Sequence, residues 1–298
     1  DLTDAEQYAP DNDNSDRTKM TKTVAQAMLA KVYAEKEVQD YDKVIAYADK
    51  VMNTTGVELE DSYETLWGYD ETAKDCMKRN TKEGILEVHW TTGSGNWETW
   101  MYGRPLDDWD YYFTWAKWIT PSRDIINDFD KEGDEVRKNQ AIVYYACTWS
   151  NYYPASNYPF MYKLRSSYNN IYWVRLADII LMKAEAEAYK GNLAESAKLV
   201  NQIRKRAKLK ELTSDKTGSK ESMIEAVLHE RRLELAFEGE RWFDLCRNNK
   251  VEKYLNGIDN RDSGRIRQVK QFDSNSYLLP IPQTALDQNT NLEQNPGY

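Results

Sequence analysis

Apolar residues recur at helical spacing near the start of the chain. In residues 18–37, Val24, Met28 and Val32 fall on one face, a pattern that predicts an amphipathic helix. After a short turn, a second helix is expected over Tyr41–Met52, where small alanines alternate with larger apolar residues. The two segments therefore predict a helical hairpin.

The same arrangement returns later in the chain. Residues 171–190 place Leu176 and Ile180 along one side, a turn follows at Gly191-Asn192, and residues 193–209 form the expected partner helix. Both pairs resemble the helical hairpins of tetratricopeptide (TPR) repeats. Two units are too few for a free solenoid, so we expect them to form a scaffold that further helices complete.

Between the two hairpins, residues 57–170 are rich in aromatic residues, Asn and Gly, which predicts a loop-rich insertion. Residues 84–90 (GILEVHW) alternate as a short strand would, and residues 91–96 read as a flexible loop. Pro121 is expected to open a helix. Near the C-terminus, residues 260–277 are polar and predict short strands or a hairpin.

Residues 228–247 (LHERRLELAFEGERWFDLCR) combine many charges with large apolar side chains. The apolar residues predict a helix that packs inward, Gly239 is expected to cap its C-terminus, and Trp242 begins a second short helix. Phe237 falls beside the turn, and Cys246 is expected to be a buried thiol.

The charged residues of this block are close enough in sequence to form a network of arginines and carboxylates. A catalytic or anion-binding cluster would have the same composition, but structural ion pairs are the commoner cause of such a pattern. We therefore predict a structural ion-pair network, with Arg247 at its end. Its other members are Glu230, Arg231, Arg232, Glu234, Glu238, Arg241 and Asp244.

The chain contains 10 Trp and 21 Tyr, more than a core of this size needs. Many of them fall in residues 97–118, where aromatic faces suited to stacking on sugar rings alternate with groups that can bind hydroxyls. The predicted glycan-binding residues are Trp97, Trp100, Tyr102, Arg104, Asp107, Trp109, Tyr112 and Trp115. The alternative is that these aromatic residues fill a core between loops.

A second aromatic group lies in residues 144–162, and its prolines, Asn and Ser predict an exposed loop. It includes Trp149, Tyr152, Tyr153 and Tyr158. It could form the other wall of the binding site, and it could equally contact a partner protein.

Composition excludes several classes of function. The net charge of -9 disfavours nucleic-acid binding, and no apolar run approaches the roughly 18 residues of a membrane-spanning helix. The three cysteines and two histidines are too scattered for a disulfide framework or a zinc site. Residues 11–16 lack the glycine and the final glutamate of a calcium loop. No metal and no cofactor are expected, since no nucleotide-binding or nucleophile motif is present.

Residues 230–247 follow the pattern E-R-R-x-E-L-x-F-E-G-x-R-x-x-D-L-x-R, which resembles the signature of the SusD/RagB family. Residues 173–192 and 278–298 resemble two further family segments, the second ending in Gln-Asn-Pro-Gly-Tyr. Family members are usually longer, so the chain resembles their C-terminal portion.

The resemblance implies a mainly α, SusD-like fold: a TPR-like helical scaffold with an aromatic, loop-rich insertion and a few short strands. It implies one domain over 1–298, with a helix pair at 18–56, the ligand-binding insertion at 57–170, and a helix pair plus signature region at 171–298. Because loop sequences differ widely within the family, it assigns no ligand-binding residue by itself.

The resemblance also implies a function: a non-catalytic, surface nutrient-binding lipoprotein of Bacteroidetes. Such a protein captures oligosaccharide or polysaccharide at the outer face of the outer membrane and delivers it to a SusC-like TonB-dependent transporter. The lipid anchor is implied only for the full-length parent. Family pockets are built partly from an N-terminal portion that this chain lacks, so binding by the chain alone is expected to be weak or lost.

Two other classes of function stay open. One is a TPR-type scaffold whose aromatic loops bind protein. The other is a glycoside hydrolase, which needs two carboxylates roughly 5–10 Å apart, one with a raised pKa. Residues 97–118 contain Glu98, Asp107, Asp108 and Asp110, but nothing in the sequence marks one of them as buried. We therefore do not expect an enzyme.

Overall fold

A computed structural model describes residues 1–90, 97–103, 119–147, 152–166, 168–264 and 270–298. Trp97 and Trp100 are described as part of a helix, but their side chains are not described. Within these ranges the chain is mainly helical with a few short strands, which confirms the fold class predicted from the sequence. None of the described helices is long and apolar enough to cross a bilayer.

The described helices are numbered in chain order. The first seven are α1 Leu2–Tyr8, α2 Lys22–Ala34, α3 Tyr41–Met52, α4 Glu64–Trp67, α5 Trp97–Tyr102, α6 Arg123–Glu132 and α7 Glu135–Ala141. The next seven are α8 Leu176–Lys190, α9 Leu193–Arg206, α10 Ser214–Thr217, α11 Lys220–Glu234, α12 Arg241–Arg247, α13 Val251–Leu255 and α14 Gln283–Gln288. Single 3₁₀ turns occur at Lys36–Val38, Ile258–Asn260 and Ser274–Tyr277.

The two predicted hairpins are present and pack against each other. Helix α3 contacts both α2 and α8, and α11 packs on α8 and α9. Their shared core contains fully buried alanines, Ala27, Ala48, Ala184 and Ala188, at which the helices can approach closely. Asp40 caps α3, since its side chain accepts a hydrogen bond from the Lys43 backbone amide at 3.1 Å.

Among the described residues, three antiparallel strand pairs lie outside this helical core. They are β1 Tyr69–Asp70 with β2 Asp75–Cys76, β3 Gly84–Val88 with β6 Ile171–Arg175, and β4 Ile142–Tyr145 with β5 Tyr158–Met161. The predicted strand at 84–90 is therefore confirmed.

The prediction of a helix from residue 171 is wrong for its first turn, because residues 171–175 form strand β6 and α8 begins at Leu176. The β-branched and aromatic residues of this stretch favour a strand. Strand β6 also buries Tyr172 and Val174 while it pairs with β3. The apolar run of the strand continues directly into the apolar face of the helix, so periodicity alone does not reveal the boundary.

The prediction that residues 144–162 form an exposed loop is also wrong. The segment contains the end of strand β4 and the whole of strand β5, and Tyr158 and Phe160 are buried beside Cys147. Tyr152 and Tyr153 pack partly buried against the same cluster, whereas Trp149 lies outside the described residues. The aromatic side chains therefore stabilise a small hydrophobic cluster.

Two further differences concern the C-terminal half. Helix α11 ends at Glu234 with Leu235 as its C-cap, so Gly239 is not the cap and instead lies in the connection to α12. Phe237 and Gly239 both have positive φ, at 66° and 88°, which turns the chain sharply there. In the described part of residues 260–277 the backbone forms 3₁₀ turns where strands were expected.

Candidate functional site

A buried ion-pair network, centred on Glu234 at the end of α11, holds the candidate site in place. The Glu234 carboxylate accepts hydrogen bonds from Arg137 at 3.2 Å, from Arg175 at 2.6 Å and from Arg206. The Glu234 side chain is fully buried, and none of the three arginine side chains is more than 5% exposed. Burial opposes ionisation of Glu234, but the three guanidinium groups outweigh it and hold the pKa of this carboxyl well below its usual range.

The network continues toward the turn at Phe237. Arg175 donates from Nε to Glu238 Oε2 at 2.7 Å and from Nη2 to Glu238 Oε1 at 2.8 Å. Lys163 donates to the same carboxylate at 2.5 Å and to the Glu234 carbonyl at 3.1 Å. Since both oxygens of Glu238 are occupied, strand β6 and Lys163 fix the position of this side chain.

A second chain of ion pairs connects helices α8, α11 and α12. Arg231 bonds Asp178 at 2.7 Å and Asp244 at 2.9 Å, and Arg247 bonds Glu185 at 2.8 Å. These residues are almost completely buried, so the charges are compensated inside the protein. Glu230 is paired in the same way with Arg137 and with Arg204, and Arg232 pairs with Asp124 and Asp128.

Arg241 differs from the expectation that it joins this network. Among the described residues it forms no ion pair, and its Nη1 donates to the Leu228 carbonyl at 2.9 Å. Its guanidinium carbon lies 4.8 Å from the centre of the Tyr254 ring. Its position at the start of α12 directs it to a backbone acceptor and an aromatic face, because the nearby carboxylates already have partners.

A cavity of about 340 Å³ opens beside the Glu238–Lys163 pair. Aromatic and apolar groups make up most of its wall, and a few polar groups reach its edge, which is the composition of a small-ligand site. Its described lining residues are Trp67, Glu98, Tyr102, Ile119, Met161, Lys163, Leu164, Asn170, Ile171, Tyr172, Phe237, Glu238 and Gly239. We call it the first cavity.

Lys163 gives the first cavity an unusual polar group. Its side chain is 1% exposed, and its ammonium lies 4.7 Å from the centre of the Trp67 ring and 5.4 Å from that of Tyr63. Burial lowers its pKa to about 8, although the pairing with Glu238 opposes this shift.

A second cavity of about 390 Å³ lies next to the first, and the two share Ile119, Met161, Phe237 and Gly239. Its charged groups come from α11 and α12. Its described lining residues are Ile119, Thr120, Ser122, Ile125, Met161, Arg231, Arg232, Leu235, Ala236, Phe237, Gly239, Arg241, Trp242 and Asp244. The turn at residues 237–239 thus forms a wall common to both cavities.

Helix α5 brings the start of the predicted aromatic segment to the first cavity. The Thr99 hydroxyl donates to the Ser166 carbonyl at 2.8 Å and bonds the Asn169 side chain at 3.0 Å, which fastens the helix to the segment before β6. Gly103 follows, and a Cβ there would lie 2.1 Å from the Leu164 carbonyl oxygen, so only glycine permits this close approach.

The predicted site residues fall into three groups. Tyr102 lines the first cavity, together with Glu98 of the same helix. Trp97 and Trp100 belong to α5, but their side chains are not described. The remaining five, Arg104, Asp107, Trp109, Tyr112 and Trp115, lie outside the described residues and stay predictions.

Lys163, Phe237, Glu238 and Gly239 line the cavities, although the sequence does not predict them as ligand-binding residues. The charged block is predicted to be structural, yet Phe237 and Gly239, in the turn within it, line both cavities. The available signal was the Phe-Glu-Gly sequence, since a glycine beside an aromatic and an acidic residue indicates a turn that can expose both side chains. No sequence signal connected Lys163 with Glu238, which lies 75 residues further on.

Cys246 also differs from the expectation of a buried thiol. It is half-buried and lines a separate cavity of about 590 Å³ between α12 and the segment that contains Tyr277. Burial raises its pKa to about 11, so the thiol is not activated as a nucleophile. Across the described ranges, no group of three or more His, Cys, Asp or Glu side chains is placed to hold a metal ion.

The chain is similar to known proteins along its whole length. The model of the SusD family matches residues 158–298. The SusD-like protein P2 of Formosa agariphila is 27% identical over all of this chain, and the SusD-like protein P38 of the same organism is 36% identical over 43% of it. The match covers 63% of the length of P2 and 25% of the length of P38, so the chain matches only part of each longer protein.

Solved structures share the fold. A SusD superfamily protein from Bacteroides vulgatus covers the whole chain with a TM-score of 0.74 at 23% identity, and the match includes 66% of that protein. A protein described as a laminarin-binding SusD-like protein also covers the whole chain, with a TM-score of 0.70 at 23% identity, and 67% of that protein is matched. At this level of identity the likeness concerns the fold.

Proposed function

We propose that the chain is part of a non-catalytic glycan-binding protein of the SusD/RagB family, whose model matches residues 158–298. The protein would capture oligosaccharide or polysaccharide at the outer face of the outer membrane, where a lipid anchor holds the full-length parent. It would then pass the glycan to a SusC-like TonB-dependent transporter.

The observation that carries the binding proposal is the composition of the first cavity. Trp67, Tyr102, Tyr172 and Phe237 supply aromatic surface, and Glu98 and Glu238 are among the polar groups at its wall. Aromatic faces bury the apolar C–H surface of a sugar ring, while carboxylates accept hydrogen bonds from its hydroxyls. A protein of the same fold is described as laminarin-binding, which supports a glycan as the ligand.

The same cavity argues against hydrolysis of the glycan. A glycosidase needs one carboxylic acid that donates a proton and a second carboxylate that acts as base or nucleophile. Desolvation raises the pKa of Glu98, as the first role requires. Glu238 is unsuited to the second role, because Arg175 and Lys163 occupy both of its oxygens.

Replacing Tyr102 by alanine should weaken glycan binding about tenfold, since it removes one aromatic wall of the first cavity. A glycan array with the purified chain would identify a ligand, and titration calorimetry would then compare the variant with the unchanged chain. Tyr8→Ala is the matched control, because Tyr8 lies 76% exposed in α1 and lines neither cavity.

If Tyr102→Ala and Tyr8→Ala bind the glycan with equal affinity, the first cavity is not the binding site. Release of shorter sugars during prolonged incubation would contradict the proposal that the protein is non-catalytic.

A further inference from the structure

The second cavity contains a partly buried guanidinium, that of Arg241, which forms no ion pair within the described residues. Arg231, Arg232, Arg241 and Asp244 are its charged lining groups within the described ranges. Arg231 is paired with Asp178 and Asp244, and Arg232 with Asp124 and Asp128. Asp244 is paired again with Arg247 at 2.7 Å. Within the part of the chain that the structure describes, Arg241 alone among these four groups forms no ion pair.

The environment of Arg241 is unfavourable for a positive charge without an ion-pair partner. One of its donors reaches the Leu228 carbonyl, and its plane lies near the Tyr254 ring, which leaves further N–H groups of the fork for another acceptor. Burial lowers the pKa of this guanidinium to about 10, and the neighbouring charge of Arg232 adds to the effect. An anion next to Arg241 would offset both the desolvation of its charge and the repulsion by Arg232, because a guanidinium binds a carboxylate or sulfate through paired hydrogen bonds.

The position of the second cavity connects it with the proposed glycan site. It shares Phe237, Gly239, Ile119 and Met161 with the first cavity, so a ligand that stacks in one lies beside the other. Gly239 has no side chain to separate them, and a Cβ added there would meet nothing within 4 Å. A sugar in the first cavity can therefore place a substituent, or the next sugar, near Arg241.

We propose that the second cavity binds an oxyanion, a carboxylate or a sulfate, through Arg241, and that the anion is a substituent of the glycan held in the first cavity. That the anion belongs to the glycan rests on the proposed function. An anion site next to the first cavity restricts the substrate class to acidic glycans, such as uronate-containing or sulfated chains. A free inorganic anion offers the same chemistry, and the test below separates the two sources.

Ser122 provides a test that does not disturb the network. It lines the second cavity, and its hydroxyl caps α6 by accepting a hydrogen bond from the Ile125 amide at 3.3 Å. Aspartate and asparagine are both good helix N-caps, so Ser122→Asp and Ser122→Asn should both fold and should differ by one negative charge in the cavity. Arg241→Gln removes the proposed anion-binding charge itself, and thermal unfolding checks that all three variants are folded.

Calorimetry would use sodium sulfate, sodium glucuronate and glucose at matched ionic strength, followed by neutral and acidic oligosaccharides from a glycan array. We expect Ser122→Asp to bind sulfate and acidic oligosaccharides at least tenfold more weakly than Ser122→Asn, and Arg241→Gln to lose the same ligands. Neutral sugars should change less than twofold across the variants. That result supports the glycan as the source of the anion.

Two other outcomes are decisive. If sulfate binding depends on Arg241 but no glycan binds, the anion site stands as a site for a free ion and the proposed glycan function fails. If neutral glycans bind and no anionic probe distinguishes Ser122→Asp from Ser122→Asn, the anion site is overturned while the glycan function stands.

Discussion

Replacing Glu234 by glutamine is expected to lower the free energy of unfolding by about 3–5 kcal/mol, because it removes a buried carboxylate that three guanidinium groups share. Glu234 accepts hydrogen bonds from Arg137, Arg175 and Arg206, and all four side chains are buried. Glutamine is nearly the same size, so the effect comes from the lost charge. Urea unfolding followed by circular dichroism at pH 7 measures the difference.

Glu195→Gln is the matched control. Glu195 forms an exposed ion pair with Lys198 on the surface of α9, at 3.1 Å, and such pairs contribute roughly 0–1 kcal/mol. A Glu234→Gln variant as stable as Glu195→Gln would show that the buried network does not hold the scaffold together.

The same residue makes stability depend on pH. Because the native pKa of Glu234 is lowered, its contribution is complete above the unfolded value of about 4.3 and is lost as the pH falls toward the native value. The unchanged chain should therefore lose more stability between pH 5 and pH 3 than the Glu234→Gln variant does. Equal losses in the two proteins would contradict the assignment of this acid sensitivity to Glu234.

Replacing Trp109 and Trp115 together by alanine is expected to weaken glycan binding by about 10- to 100-fold, with unchanged folding. Both residues belong to the aromatic segment that continues from α5, and both lie outside the described residues, so this prediction rests on the sequence. The physical reason is that tryptophan buries a large flat apolar surface against a sugar ring.

Trp173→Ala serves as the control for this double variant, because Trp173 is 62% exposed on β6 and lines neither cavity. Calorimetry with a glycan identified on an array gives the affinities, and circular dichroism checks the fold. If the double variant binds as tightly as Trp173→Ala, the aromatic segment does not contact the ligand.

Helices were the part of the fold that the sequence predicted well. The apolar periodicity of α3, α8, α9 and α11 indicates both their presence and their buried faces, since a helix of this kind must cover one side. Helix α2 is present as predicted, but its predicted face is wrong at Val32, which is exposed, because small residues such as Ala27 and Ala30 form the buried side. Asp40 and Ser122 also act as the caps that their residue types favour. These features depend on residues close together in the sequence.

Pairing between distant segments could not be predicted in the same way. Strand β6 finds its partner β3 more than eighty residues earlier, and β4 pairs with β5 across a segment that reads as loop. The first cavity could not be predicted for the same reason, because Lys163 and Glu238 are far apart in the sequence and are brought together by tertiary packing. The positive φ of Phe237 could not be predicted either, because residues with a side chain seldom adopt this conformation.

Glycan binding in the first cavity, between α5 and the turn at residues 237–239, can be seen in a crystal structure of the chain with an oligosaccharide identified on a glycan array. We expect an intact sugar ring beside Tyr102 and Phe237, with a hydroxyl near Glu98. A sugar bound elsewhere on the chain, with the first cavity free of it, would show that the first cavity is not the glycan site.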